Sequence, residues 1–389
     1  MSGGCCGPAA VEPKELAPRA EGAELPVVVI GAGPVGLAAA AHLAGRGIDF
    51  LVLEAGDQAG ASVARWGHVR TFSPWRFNID AAARRLLEAD GWNAPDTDWP
   101  PTGAELIADY LAPLAELLGT KIRLGAKVSA ISRLGYDRVR TNGRDDAPFL
   151  IRLDSGEELQ ARAVIDASGT YTSPNVLGGS GLPARGALGT RLRAHVESGR
   201  IRLLTGFFTH RVRETAEGVE VISRAPSGAE QSVTVDLIVA ATGYRPDHSF
   251  AAELRLDLDP ILGSTRALAP LIDPNQHSCG TVPGHGVNEL SHPEPGYYAV
   301  GVKSYGRAPT FLMATGYEQV RSVVAALAGD WEAAREVHLD LPETGVCSSS
   351  LAEAQERRVG LATGISGGLL SIPLPPATVD AGSGGGCCG

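Results

Sequence analysis

Three glycines and one acidic residue near the start of the chain have the spacing of a turn that binds a dinucleotide. Gly31, Gly33 and Gly36 stand in the pattern G-x-G-x-x-G, with Pro34 between them, and Glu54 follows. Glycine permits a tight turn and lets the backbone approach a pyrophosphate closely. A carboxylate about twenty residues further on accepts hydrogen bonds from ribose hydroxyl groups. These residues therefore predict the binding of a phosphorylated dinucleotide.

A strand, a helix and a second strand must hold these residues in place. The apolar run Val27 to Ile30 predicts a buried strand that ends at the glycines. The alanine-rich segment after Gly36 predicts a helix whose N-terminus faces the phosphates. A second strand, Phe50 to Leu53, ends at Glu54, and an acidic residue there favours FAD or NAD over a 2′-phosphorylated ribose. The alternative is a glycine turn in an unrelated α/β core.

Composition narrows the classes of protein that need to be considered. The chain has 389 residues, 44% of them hydrophobic and 20% charged, with a net charge of -10. This length suits one large core or two moderate ones, and the acidic balance offers no basic face for nucleic acid or anionic lipid. The apolar run Val27 to Leu43 is short for a membrane span, and no signal peptide is indicated. We therefore expect a cytoplasmic protein that binds neither nucleic acid nor membranes.

Both ends of the chain carry a pair of adjacent cysteines in glycine-rich sequence. Residues 1–24 and 345–389 lack sustained periodicity, and we predict flexible tails there. Adjacent cysteines rarely form a disulfide with each other, and they are well suited to share a soft ion or metalloid. A redox role and no role at all are the alternatives. The predicted ligands are Cys5, Cys6, Cys387 and Cys388.

The loop after Glu54 crowds aromatic and polar side chains together, as the edge of a flat ring system requires. A strand is expected at Ile122–Arg123, continuing into Lys127–Ile131, and it would lie near the adenine of the nucleotide. Arg70, in the loop after Glu54, is a candidate catalytic residue. The further residues expected to contact the nucleotide are Ser62, Trp66 and Val128.

Two later segments end in small residues where a strand would meet a bound cofactor. They read ASGTYTSPN, after a strand predicted at Ala163 to Ser168, and AATGYRPD, in a strand predicted at Leu237 to Gly243. With the first glycine turn and Glu54, these segments resemble the FAD-dependent oxidoreductases with two dinucleotide-binding domains, especially flavin-containing and N-hydroxylating monooxygenases. The resemblance implies a glutathione-reductase-like, Rossmann-type α/β fold. It assigns cofactor-binding roles to Ser168, Gly169 and Gly243.

The chain departs from this family after the first of the two segments. After this segment a complete member carries a second strand, G-x-G-x-x-G turn and helix for NADPH, and this sequence does not. A helix around Gly189 to Ser198 and strands at Ile201–Gly206, Val219–Ser223 and Leu237–Ala241 look like the latter half of an NAD(P)-type domain whose first βαβ unit is missing. The expected organisation is a FAD-binding domain at residues 25–175 and 247–344, with a truncated NAD(P)-type domain at 176–246. Use of NADPH or NADH as the electron donor stays open.

The later part of the FAD domain supplies further candidate catalytic residues. A strand at Tyr297 to Val302 and a helix at about Pro309 to Leu327 are expected. In the wider flavoprotein family the helix after this strand points its N-terminus at the flavin. Lys303 or that terminus could stabilise negative charge on reduced flavin, and Tyr305 and Arg307 could line the substrate side. The alternative is that Lys303 and Arg307 are merely solvated.

An internal cysteine lies before this strand, within a segment that also contains three histidines. Cys279 could act as a thiolate toward a soft substrate, or it could be an ordinary buried cysteine. His277, His285 and His292 complete a cluster whose spacings match no regular zinc pattern, so a metal site is disfavoured.

The cysteine tails and the segments HSCGTV and KSYGRAPTFL extend the resemblance to flavoprotein monooxygenases encoded with bacterial arsenic-resistance genes. That resemblance implies a reaction through a flavin C4a-hydroperoxide with a soft nucleophile such as trivalent arsenic. The expected partners are molecular oxygen and a small-molecule or metalloid substrate. One alternative is a flavin reductase or dehydrogenase that passes electrons to a partner. The other is a non-enzymatic protein that binds FAD or a metalloid.

Overall fold

Five parallel strands form the sheet that carries the glycine turn in the computed structural model of the chain. In spatial order they are β11 (Tyr297–Ala299), β7 (Ala163–Asp166), β1 (Val27–Ile30), β2 (Phe50–Leu53) and β3 (Ile122–Arg123). The strand β1 lies between β7 and β2 and is buried on both faces, as its unbroken apolar run predicts. The mixed α/β fold of the sequence-based prediction is confirmed.

The structure describes residues 25–175, 193–277, 279–339 and 341. The cysteine pairs predicted to bind a soft ion, Cys5 with Cys6 and Cys387 with Cys388, lie outside this range, so their roles stay predictions. The described residues include no helix long and apolar enough to cross a membrane.

Helices cover one face of the parallel sheet. The α-helices are α1 (Pro34–Gly45), α2 (Ala61–Ala64), α3 (Ala81–Ala89), α4 (Gly103–Leu106), α5 (Ala112–Leu118), α6 (Ala269–Ile272), α7 (Val287–Leu290), α8 (Met313–Leu327) and α9 (Trp331–Arg335). A π-helical turn at Ile107–Leu111 joins α4 to α5, and residues 193–197 are also helical. Leu37 of α1 and Val323 of α8 share one apolar core with Val27 and Val29 of β1.

A small antiparallel sheet covers the opposite face. Its strands are β4 (Val128–Arg133), β5 (Phe149–Leu153) and β6 (Glu158–Ala161). Val28 and Ile30 of β1 point into a second core with Phe149 and Ile151 of β5. Alternate residues of β1 thus face opposite sides of the sheet, because successive side chains of a strand point in opposite directions.

A third sheet stands in the region expected to hold half of an NAD(P)-type domain. Its strands are antiparallel: β8 (Thr209–Thr215), β9 (Gly218–Arg224) and β10 (Glu230–Val235). The strands predicted at Ile201–Gly206 and Leu237–Gly243 are wrong, since both segments are irregular. Leu237 and Val239 are 77% and 81% exposed, so no neighbouring strand among the described residues covers them. An apolar run without a partner strand has neither a hydrogen-bonded ladder nor a buried face to stabilise it.

Other boundaries also differ from the prediction, and the strand predicted at Ala163 to Ser168 ends at Asp166. Residues Ile122–Arg123 and Val128–Arg133 are not one strand, because the chain turns at Gly125, whose φ is 64°, and the two strands join different sheets. The strand β11 ends at Ala299, where a 3-10 turn at Gly301–Lys303 replaces its predicted end. The helix α8 begins at Met313 rather than at Pro309.

Candidate functional site

The glycine turn lies at the carboxyl end of β1, against the segment that follows β7. Gly31 has a φ of 98°, and a Cβ atom there would lie 2.7 Å from the carbonyl oxygen of Ala167. A Cβ atom on Gly36 would lie 1.9 Å from the carbonyl oxygen of Gly31. Both positions require glycine, because a side chain would push α1 and the segment after β7 away from the strand.

The same turn fits the phosphates and ribose of a dinucleotide. A Cβ atom added to Gly33 would have no neighbouring atom within 4 Å, so the space beside the turn is open at the N-terminus of α1. Glu54 accepts hydrogen bonds from the backbone N–H groups of Ala32, at 2.6 Å, and Gly56, at 2.8 Å. Each carboxylate oxygen retains lone-pair capacity for a ribose hydroxyl. The residues present therefore fit FAD.

A buried ion pair lies beside this turn, at the carboxyl ends of β7 and β11. Lys303 Nζ is 2.6 Å from Asp166 Oδ2 and 3.0 Å from Ser168 Oγ, and both charged side chains are almost fully buried. Tyr297 donates a hydrogen bond of 2.7 Å to the same carboxylate oxygen. Ser168 lies between the ion pair and the glycine turn, because its Cα atom would be 3.2 Å from a Cβ atom added to Gly31.

The charges of the ion pair and the burial of the site shift the pKa values of Asp166 and two neighbouring groups. Burial alone would raise the pKa of Asp166, but Lys303 and the hydrogen bonds from Tyr297 and Ser168 outweigh it and lower that pKa. Burial and the Asp166 carboxylate hold the pKa of Tyr297 well above its usual value. Burial, followed by the charge of Lys303, lowers the pKa of His248. Lys303 is therefore not a merely solvated side chain, because it neutralises a buried carboxylate.

Gln319, on α8, fixes the turn that presents Lys303. Its side-chain oxygen accepts a hydrogen bond of 2.8 Å from the backbone N–H of Gly301. Its side-chain nitrogen lies 2.9 Å from both Ser304 Oγ and His285 Nε2. Gly301 itself has a φ of 67°, and this turn carries the chain from β11 into the segment that contains Lys303.

The two small-residue segments found in the sequence meet in space. Asn175, in the first, donates backbone and side-chain hydrogen bonds of 2.9 Å to the carbonyl oxygens of Gly243 and Thr242 in the second. Thr242 returns a hydrogen bond of 2.8 Å to the carbonyl oxygen of Asn175. Arg307 joins them, donating to Asn175 Oδ1 at 2.6 Å. Arg307 is exposed, unlike Lys303.

The residues predicted from the loop after Glu54 fall into two places. Ser62 lies on α2, and that helix is tied to the glycine turn because the N–H of Gly60 donates to the carbonyl oxygen of Ala32 at 2.9 Å. Arg70 instead bonds to Glu105 Oε2, at 3.1 Å, and packs over the ring of Trp99. Its guanidinium group thus helps to fix the start of α4.

Two further predicted residues have mainly packing contacts. Trp66 lies against the start of α4, where a Cβ atom on Gly103 would lie 2.8 Å from its ring. Val128 begins β4 and is buried in the second core. Neither position tests the predicted contact with the nucleotide.

Tyr305 and Cys279, two further predicted site residues, are both at least partly buried. Tyr305 is fully buried, with its ring 5.6 Å from that of His285 and 5.2 Å from that of Phe311. Cys279 is half-buried, and its sulfur lies 3.7 Å from the carbonyl oxygen of Pro309. Within the part of the chain that is described, no three His, Cys, Asp or Glu side chains cluster as a metal site.

Sequence reasoning missed the partners of Lys303. Asp166 is the acidic end of an otherwise apolar strand, and an acid in such a strand needs a partner when it is buried. That pattern was the available signal for Asp166. Nothing in the local sequence indicates that Gln319, in the middle of a helix, supports a turn at Gly301.

The fold and the glycine turn define a Rossmann-type α/β protein of the kind found among FAD-dependent oxidoreductases. Residues 28–188 match the profile of a family described as pyridine nucleotide-disulphide oxidoreductase. Solved structures with similar folds include two bacillithiol disulfide reductases. The Bacillus cereus protein is 18% identical with a TM-score of 0.57, over 79% of this chain and 99% of its own. The Staphylococcus aureus protein is 16% identical with a TM-score of 0.55, over 79% of this chain and 98% of its own.

A curated relative is similar in sequence over a shorter region. An indole-3-pyruvate monooxygenase from Oryza sativa subsp. japonica is 32% identical over 151 residues, which are 38% of this chain and 33% of the relative. The match thus spans about a third of the relative's length. The solved structures, at their low identities, establish likeness of fold alone.

Proposed function

We propose that the protein is a FAD-dependent oxidoreductase that acts as a monooxygenase on a soft nucleophile. The observation that carries the proposal is the meeting of the glycine turn with the buried pair of Lys303 and Asp166, through Ser168. The sequence match to a monooxygenase supports the reaction class. The cysteine pairs at both ends of the sequence support a thiophilic substrate such as trivalent arsenic.

The residues of the site divide the work of binding and charge control. The glycine turn and the N-terminus of α1 bind the pyrophosphate, and Glu54 accepts hydrogen bonds from the ribose. FAD, when bound, supplies electron transfer and the activation of oxygen. Lys303 holds a proton at Nζ in a water-poor position, and Ser168, which contacts it, lies at the cofactor side of the pair. Because Asp166 balances the charge of Lys303, the pair acts on negative charge that develops nearby as a fixed dipole, with its ammonium group beside Ser168.

The proposed reaction consumes one oxygen molecule, one reduced nicotinamide nucleotide and one proton for each substrate. One oxygen atom enters the substrate and the other leaves as water, while the nucleotide loses a hydride. The soft nucleophile donates an electron pair to the oxygen that it gains. A dehydrogenase would oxidise the nucleotide and pass the electrons on without putting oxygen into a product.

The experiment is to purify the protein and record whether a yellow flavin co-purifies with it. The protein is then incubated with NADPH or NADH, arsenite and ¹⁸O₂, and the arsenate is analysed by mass spectrometry. One labelled oxygen atom in each arsenate is the expected result. A Lys303→Met variant that still binds flavin should give less product at saturating donor, and Lys127→Met, at an exposed ion pair, serves as its control.

Three outcomes would overturn the proposal in different ways. Absence of flavin would remove the cofactor assignment. Bleaching of the flavin without labelled product, for arsenite and for an organic sulfide, would indicate the dehydrogenase. Arsenite binding without any nucleotide oxidation would indicate a protein that sequesters a metalloid.

The cysteine pairs have a test of their own. Replacing Cys387 and Cys388 by serine should raise KM for arsenite, because two thiolates can capture a soft ion for delivery as substrate. KM for an organic sulfide, which thiolates do not bind, should stay the same. An unchanged KM for arsenite would remove the delivery role and leave the oxygenase assignment intact.

A further inference from the structure

A chain of hydrogen bonds leads through Gln319 from the turn that carries Lys303 to His285. The backbone N–H of Gly301, in that turn, donates to Gln319 Oε1 at 2.8 Å. Gln319 Nε2 lies 2.9 Å from His285 Nε2, and His285 Nδ1 lies 2.9 Å from the carbonyl oxygen of Pro283. Gln319 and His285 are 0% and 4% exposed, so the middle of this hydrogen-bond chain is shielded from solvent.

The two backbone ends of the hydrogen-bond chain fix the direction of every bond in it. A backbone N–H can only donate, so Gly301 requires the oxygen of the Gln319 amide, and the amide nitrogen must then face His285. A carbonyl oxygen can only accept, so Pro283 requires a proton on His285 Nδ1. His285 Nε2 is therefore a lone pair that accepts from the amide nitrogen. The bonds are mutually consistent only while His285 is neutral and in this tautomer.

The surroundings of His285 favour its neutral form. Burial lowers the pKa of His285, and it outweighs the hydrogen bond to Pro283, which raises that pKa. The carboxylates of Glu289, on α7, and Glu318, on α8, raise it by less. The ring of Tyr305 lies 5.6 Å away and brings no charge, because burial raises the pKa of its phenol. The histidine is thus neutral near pH 7 and gains a proton only at acidic pH.

A proton added to His285 would set two hydrogen-bond donors against each other. Its place is Nε2, since Nδ1 already carries a proton, and Nε2 faces the amide nitrogen of Gln319. Rotating the amide by half a turn would bring its oxygen to His285 but its nitrogen to the backbone N–H of Gly301, so the conflict would only move. A buried donor without an acceptor is destabilising. A charged His285 and the hydrogen bond that holds Gly301 therefore exclude each other.

The turn held at Gly301 packs beside the glycine turn and carries one charge of the site. A Cβ atom on Gly301 would lie 3.2 Å from Val35, in the first turn of α1. Two residues further on, Lys303 Nζ lies 2.6 Å from Asp166 Oδ2. We propose that His285 is a positioning residue, which holds the turn that carries Lys303 while it is neutral and releases that turn when it binds a proton. The inference rests on the proposed function, because it adds a pH-dependent control to the same charged pair.

Hydrogen exchange of the Gly301 amide, followed by NMR on the flavin-loaded protein, tests this role without turnover. Its protection should fall roughly tenfold as the pH is lowered, because one buried hydrogen bond is lost. The midpoint should equal the pKa of His285, which ¹⁵N NMR of the histidine rings gives in the same sample. His285→Gln should keep the protection, since its amide oxygen accepts from Gln319 and takes up no proton.

His338→Gln is the matched control, because His338 is an exposed histidine beside Glu336. It should show the same fall in protection as the unmodified protein. Protection of the Gly301 amide that does not follow the charge of His285 would overturn the proposal. A proton on His285 Nε2 at neutral pH would also overturn it.

Gln319→Glu changes what the hydrogen-bond chain requires of His285. A carboxylate still accepts from Gly301, and it also accepts from a proton on His285 Nε2, so charging the ring no longer breaks the chain. The pKa of His285 should rise relative to the unmodified protein, and the Gly301 amide should stay protected at acidic pH. A merely structural role of Gln319 predicts no rise in that pKa, and this result would overturn the proposal.

Turnover tests the link to Lys303 separately. Formation of labelled arsenate should decline with the same midpoint as the protection of Gly301, and His285→Gln should lack that step. A pH profile of His285→Gln equal to that of the unmodified protein would overturn the link. Absence of labelled product at every pH would instead overturn the proposed function, while the exchange of the Gly301 amide would still report on His285.

Discussion

Removing the charge of Lys303 should be among the most damaging single changes in the parallel-sheet core. Lys303→Met keeps the length of the side chain and leaves the Asp166 carboxylate buried without its cation. Breaking a buried pair by removing one partner costs about 3–5 kcal/mol of unfolding free energy, because the other charge stays uncompensated. The midpoint of urea unfolding, followed by tryptophan fluorescence on flavin-loaded protein, measures this loss.

Two further variants separate the ion pair from simple loss of packing. Asp166→Asn alone should also be strongly destabilising, since it leaves the Lys303 ammonium group buried. The double variant should lose clearly less than the sum of the single losses, because it removes both charges. Lys127→Met breaks an exposed pair with Asp154, and it should leave the unfolding midpoint unchanged. A Lys303→Met midpoint close to that of Lys127→Met would refute the reasoning.

Other predictions concern the glycine turn and a buried histidine. Gly36→Ala should abolish flavin co-purification, because the added Cβ atom would collide with Gly31. Gly45→Ala is the control, since no atom lies within 4 Å of a Cβ atom added there. It should keep the flavin and stabilise α1 by up to about 1 kcal/mol. Glu54→Gln should raise Kd for FAD roughly tenfold or more in a fluorescence titration, because hydrogen bonds to a charged acceptor are lost. Burial, followed by the charge of His248, lowers the pKa of His292 in the folded protein from 6.5 to about 4. As the pH falls, His292 therefore binds a proton in the unfolded chain before it does so in the folded protein. The free energy of unfolding should therefore fall by roughly 3 kcal/mol as the pH drops from 7 to 4, and it should fall by less in His292→Gln. Urea unfolding at each pH measures both changes.

The strands around the glycine turn could be predicted from sequence because local signals agree there. Val27 to Ile30 and Phe50 to Leu53 are apolar runs of strand length with a turn between strand and helix, and both boundaries match the structure. The glycines also fix how closely α1 approaches β1, which the spacing of G-x-G-x-x-G already implies. In this unit, propensity, pattern and turn chemistry point to the same fold.

The segments at Ile201–Gly206 and Leu237–Gly243 show where that reasoning fails. Each has the apolar character of a buried strand, but a strand forms only with a partner, and no local signal reveals whether one is present. The pairing of Lys303 with Asp166 was unpredictable for a related reason. Asp166 ends strand β7 and Lys303 lies in the turn that follows β11, and only the order of strands in the sheet makes them neighbours.

The two small-residue segments connect the parts of the molecule that sequence reasoning treated separately. Asn175 forms hydrogen bonds with both Gly243 and Arg307. A displacement of the segment after β10 would therefore also displace the chain that follows Lys303.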